Sequence, residues 1–125
     1  MDNQNTYIPI YNSKGDTEAY LVYPNLFNRS GEWIGFVTRE REVYSVYGQY
    51  VGWLSDDPRI LCTRSYPYDK PKKKPPQPPE KIRTPSLGPL APMMPELGFD
   101  VLDVLQDDPD RLPSLDRGEF KQDLD

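Results

Sequence analysis

Apolar positions recur at a fixed step through the first half of the chain. Ile10-Tyr-Asn-Ser-Lys-Gly-Asp-Thr-Glu-Ala-Tyr-Leu21 aligns with Leu26-Phe-Asn-Arg-Ser-Gly-Glu-Trp-Ile-Gly-Phe-Val37, 16 residues on. Both align with Val43-Tyr-Ser-Val-Tyr-Gly-Gln-Tyr-Val-Gly-Trp-Leu54, a further 17 on. Each copy reads aliphatic, aromatic, Asn or Ser, two residues, Gly, three residues, Gly or Ala, aromatic, aliphatic. The pattern predicts a β-hairpin with a short first arm and a second arm of aromatic and β-branched residues. Asn12, Asn28 and Ser45 can accept a hydrogen bond from the backbone two residues on. Gly15, Gly31 and Gly48 fall where a type I turn followed by a bulge needs positive φ. A fourth copy is expected to begin at Ile60, 17 residues after Val43, but it lacks the turn glycine. Residues 60–65 read as a last strand pairing with an earlier hairpin.

Alternation assigns faces to the second arms. It places Tyr20, Phe36 and Trp53 on one face with Ile34 and Val51, the first copy carrying Glu18 there. Leu21, Val37 and Leu54 take the other face, each two residues after a small residue, Ala19, Gly35 or Gly52. These small residues either admit another backbone or ring at close range or simply suit a twisted sheet. Both faces are largely apolar, as in strands covered on both sides. A repeat region of some sixty residues is marginal alone, and oligomerisation is the usual remedy where no staple is present.

Beyond the repeats the pattern stops. Ten of the chain's 15 prolines lie in 67–95. The run Lys70-Pro-Lys-Lys-Lys-Pro-Pro-Gln-Pro-Pro-Glu-Lys81 is predicted to be extended, largely polyproline II. It can act as a stiff spacer, as a ligand for an aromatic groove, or as a basic stripe for an acidic partner. Leu and Met punctuate the prolines of 85–98, which suits a strap along a sheet surface. Phe99 and Leu102, with Leu105 or Val101, are predicted to form a short amphipathic turn or helix. The rest is acidic and expected to lack stable structure, so residues 107–125 are expected to be dispensable for assembly. The divisions are therefore 7–66 (hairpin repeats), 67–98 (Pro-rich extended segment) and 99–125 (acidic C-terminal tail).

Charge follows these divisions. Residues 1–67 hold eight acids and six bases, 68–95 two acids and six bases, and 96–125 ten acids and three bases, which sum to the net −5. This overall acidity argues against nucleic-acid binding. No apolar run approaches the ~20 residues of a membrane span. The N-terminus shows no secretory signal, so a cytoplasmic location without membrane contact is expected.

The hairpin pattern, its Gly15/Gly31/Gly48 and Ala19/Gly35/Gly52 registers, and the Leu-Gly-Pro-Leu-Ala-Pro stretch at 87–92 resemble small bacterial proteins described as 4-fold β-flower proteins. The resemblance covers about residues 7–105. It implies an all-β fold of fourfold symmetry, a homotetramer and no established activity. The expected fold is thus all-β: repeated antiparallel hairpins in a small oligomeric assembly, then an extended strap and an acidic tail.

Candidate chemistry is sparse. There is no histidine, and the one cysteine, Cys62, sits in a predicted strand with nothing to activate it. Asp56-Asp57 and Asp107-Asp108-Pro109-Asp110 read as turns, since they lack the Gly and Glu of a calcium loop. Catalytic residues, metals and cofactors are all expected to be absent. Trp33, Phe36, Tyr20, Tyr50 and Trp53 are the candidates for an interface or for lining a ligand site. The expected function is a non-enzymatic homo-oligomeric scaffold or protein-interaction module, binding itself and a protein partner through the Pro-rich segment or tail. The alternative is a binder that holds an apolar small molecule in an aromatic-lined pocket or central channel.

Overall fold

The computed structural model describes residues 7–65, 70–85 and 88–114. Residues 66–69, 86–87 and the last part of the acidic tail, 115–125, lie outside the described residues. Each repeat forms two antiparallel strands: β1 (Ile8–Tyr11) with β2 (Thr17–Val22), β3 (Asn25–Asn28) with β4 (Trp33–Val37), and β5 (Glu42–Ser45) with β6 (Tyr50–Leu54). The three turns share one hydrogen-bond scheme. In the first, Gly15 N–H donates to Asn12 O at 3.0 Å, and Asn12 Oδ1 accepts from Lys14 N–H at 2.9 Å and Asp16 N–H at 3.1 Å. Asn28 Oδ1 and Ser45 Oγ do the same in their turns. Gly15, Gly31 and Gly48 have φ of 91°, 84° and 83°, as the spacing predicts.

The fourth unit joins distant parts of the chain. β7 (Ile60–Thr63) pairs with β6 on one side and with β8 (Val101–Asp103) on the other. The result is one eight-stranded antiparallel sheet in sequential order. The β domain therefore does not end at residue 66. It takes its last strand from beyond the Pro-rich segment, and a one-turn helix α1 (Val104–Asp107) and a 3₁₀ turn (Pro109–Arg111) follow. Phe99 does not join Leu102 on an amphipathic helix. It stands 87% exposed just before β8, because Val101–Asp103 pairs as a strand instead.

The core records the repeat. Ile10, Leu26, Val43 and Ile60, the same position in four units, are each 0% exposed. They pack with Leu21, Val37, Leu54, Cys62, Val104 and Leu112 in one cluster. Ile34 and Val51 belong to this cluster too, against the alternation reading. The cause is a β-bulge in each hairpin. Leu26 faces Gly35 while the next residue, Phe27, faces Trp33, so Ile34 is skipped. Val51 is skipped in the same way between Gly52 and Tyr50. An extra residue shifts the face of what precedes it. In the first copy the skipped residue is Glu18, which accepts a hydrogen bond from Asn12 Nδ2 at 2.9 Å.

The four units form a circuit whose ends meet. Tyr11 N–H, at the end of β1, donates to Pro58 O at 3.0 Å. Beside it, Ser13 Oγ donates to Asp103 Oδ2 at 2.7 Å, linking the first hairpin turn to β8. Arg59, 2% exposed, donates from Nη1 to Ser13 Oγ at 2.9 Å and from Nη2 to Asp57 Oδ2 at 2.6 Å. Burial pushes the Asp57 carboxyl up, but the bonds from Arg59 and Ser55 outweigh it and hold it below its ordinary value. One chain thus supplies all four units, and the fourfold pattern itself calls for no second copy.

Candidate binding surface

The Pro-rich segment retraces the hairpins in reverse. Lys73 N–H donates to Gly48 O at 2.9 Å, and Ile82 N–H donates to Gly31 O at 3.0 Å. Thr84 Oγ1 donates to Arg29 O at 2.6 Å. Ala91 lies against Gly15, and the Tyr11 hydroxyl donates to Leu90 O at 3.4 Å. Arg59 Nη2 then reaches Pro95 O at 3.1 Å, and Arg64 N–H reaches Asp100 O at 2.8 Å, delivering the chain to β8. Proline has no N–H to give, so the strap donates its backbone N–H groups to the turns from the non-proline residues Lys73 and Ile82.

The turn glycines therefore serve twice. A Cβ on Gly31 would stand 1.9 Å from Ile82 O, and one on Gly48 would stand 2.0 Å from Lys73 O. Gly31→Ala combines positive φ, costing about 1–2 kcal/mol, with loss of the strap bond, about 0.5–1.5 kcal/mol. We expect a lowered melting temperature and faster hydrogen exchange at the Ile82 amide; an unchanged Ile82 amide would show that the strap is held elsewhere.

The strap is also held by side chains. Lys70 Nζ lies 2.8 Å from Glu42 Oε2 and 4.8 Å from the Tyr50 ring centre, and Lys73 Nζ lies 5.9 Å from that of Tyr44. The Lys70 ammonium holds the Glu42 carboxyl below its ordinary value. Burial, with the hydrogen bond to Glu42, pushes the Tyr44 phenol up. Ile82 packs against Phe27, Trp33 and Val46.

The aromatic candidates are mostly spent on this packing. Phe36 stacks on Tyr44 with ring centres 5.5 Å apart, and Tyr50 meets Tyr44 edge-on at 5.7 Å. Trp33 is buried in the strap-covered cluster, its Nε1–H donating to Asn25 Oδ1 at 3.2 Å. Phe36 is buried, whereas Trp53, opposite Leu61, is only half-buried. Of the five, Tyr20 lines an open space, a groove of about 780 Å³ between the strap and the first two hairpin turns. Its other walls include Asp16, Glu18, Arg29, Thr84 and Leu90. That lining is largely polar, and the middle of the fold is filled by the Ile10, Leu26, Val43 and Ile60 side chains. Cys62 is buried; burial pushes its thiol up even though Arg111 Nη1 donates to Sγ at 3.0 Å.

What reasoning from sequence missed is the outer side of the strap. Leu90 is 97% exposed and Met93 92%, although both belong to a segment fastened at several points. The alternation of proline with Leu and Met in the sequence carried the signal, but not the direction in which each side chain points. No helix among the described residues is long and apolar enough to cross a membrane. Among curated proteins and among solved structures, none matches the chain. Residues 8–99, which take in the three complete hairpins, β7 and the strap, match the family described as 4-fold beta flower protein, and the chain belongs to that family.

Proposed function

We propose that this chain is a non-enzymatic protein-interaction module of the cytoplasm, in which a β rosette holds part of its own strap outward for another protein. The observation that carries this reading is the exposure of Leu90, Met93 and Phe99 on one fastened segment. Large apolar side chains left in water along one short segment favour a protein contact over a solvated loop. The buried Cys62 thiol, pushed up by burial, and the tethered Glu18 carboxylate favour a structural role over a catalytic one.

The same strip supports a second reading, self-assembly into a homo-oligomeric scaffold, in which it seats on another copy. A photo-crosslinking amino acid at Met93, with one at exposed Glu40 as control, separates the readings in living cells. We expect an adduct with a second protein from position 93 and none from position 40. An adduct near twice the 14.5 kDa chain, with light scattering that rises with concentration, would support self-assembly. No adduct from position 93 would overturn the interaction reading.

A further inference from the structure

Burial along residues 89–97 of the strap follows a period of three. Ala91, Met94 and Leu97 are half-buried, and Gly88, three before Ala91, lies against Thr17. The two positions between each of these are exposed: Pro89 with Leu90, Pro92 with Met93, Pro95 with Glu96. Upstream the period is broken: Pro76, Pro79 and Ile82 are half-buried, but so are Pro75 and Thr84, and Pro85 is exposed. Three residues per turn is the repeat of polyproline II. The prolines fix φ at their own positions and press the preceding residue into the extended region. Residues 89–97 thus form a three-edged rod. One edge lies on the hairpins, and the carbonyls of Leu90 and Pro95 are held by Tyr11 and Arg59. The other two edges face water.

On those two edges, Pro89-Leu90 is followed one turn later by Pro92-Met93. Both prolines are exposed, and both apolar side chains are almost wholly so. Polyproline-recognising grooves take this arrangement, with successive proline–apolar pairs settling between aromatic rings. Building on the interaction-module reading, we propose that Pro89-Leu90 and Pro92-Met93 form a preformed polyproline II ridge that docks in the aromatic-lined groove of a separate partner domain. The fastened strap has already lost the freedom that a loose peptide would give up on binding. The groove belongs to a different protein, because this chain's own Phe27–Trp33 surface is covered by its own Ile82.

The test titrates the full chain against purified polyproline-binding domains of the SH3, WW and EVH1 types. At least one is expected to bind saturably. The double substitution L90S/M93S is expected to weaken that binding at least tenfold with an unchanged melting temperature, because both side chains are exposed. Tyr47→Ser, at an exposed turn position away from the ridge, should leave binding as it was. Failure of every domain to bind, or equal binding by the L90S/M93S protein, overturns the ridge. If position 93 captures a partner in cells while all three domain types fail, the ridge reading falls and the interaction-module reading stands. If capture fails as well, both fall.

Discussion

Arg59→Met is expected to open the circuit of hairpins. Arg59 is 2% exposed and touches three separate parts of the chain: Asp57 in its own loop, Ser13 in the first turn and Pro95 in the strap. Methionine fills similar volume but returns none of these bonds. It leaves a largely shielded Asp57 carboxylate and the Ser13–Asp103 pair without their cation. Breaking a buried pair from one side costs about 3–5 kcal/mol, against a total of about 5–15 kcal/mol for a typical protein. The melting temperature should fall steeply, and the Tyr11 amide, bonded to Pro58 O across the junction, should exchange faster. Arg59→Lys should fall between, since a single ammonium cannot span three acceptors with Arg's planar fork. A melting temperature unchanged in Arg59→Met would show that the ends are joined by other contacts.

Leu112→Ala is expected to be nearly as damaging, although Leu112 lies in the acidic stretch that reads as dispensable. Leu112 is 5% exposed within the main core cluster. Its Cδ2 approaches within 3.0 Å of where a Cβ on Gly35 would stand, so the absence of that Cβ makes its seat. Emptying the seat should cost about 2–5 kcal/mol, read by thermal or denaturant unfolding. Removing residues 107–125 deletes this side chain together with the Arg111 contact to Cys62, so truncation should destabilise the fold at least as much. Equal stability of Leu112→Ala and the parent chain would remove Leu112 from the core.

The hairpins were legible because everything that makes them is local. Asn12, Gly15 and the aromatic arms act within a few residues, and three copies reinforce one another. The bulges were half legible: the turn glycines announced them, but simple alternation still put Ile34 and Val51 on the wrong face. The eighth strand was not legible. Val101–Asp103 is three residues long, and its partner β7 lies on the far side of the Pro-rich segment. Phe99 and Leu102 gave a helical spacing that pairing with β7 overrode. The strap's path was hidden for a different reason. Polyproline II has no hydrogen bonds of its own, and its bonds to Gly48 and Gly31 are between backbone groups, which leave no mark in side-chain identity. Among the candidate aromatics, sequence gave the residue types that fill the outer layer. It did not reveal that the strap, and not a ligand, would cover Trp33, or that Trp53 would remain half-buried.

The late return of the chain to β8 sets an order of events during synthesis. Strands β1 to β6 are each neighbours of the strand made just before, so they can pair as they leave the ribosome. β7 can add to them at once. The fourth unit must wait until residue 103 has emerged, because its second strand follows the whole strap. Closing so long a loop carries an entropic penalty that grows with its length, and nothing offsets it until the strap is laid past Gly48, Gly31 and Gly15 in turn. A nascent chain stalled before β8 would therefore carry three finished hairpins, an unpaired β7 edge and a bare aromatic face. Such a species is open to pairing with its neighbours on a polysome through β7, until β8 arrives and covers that edge.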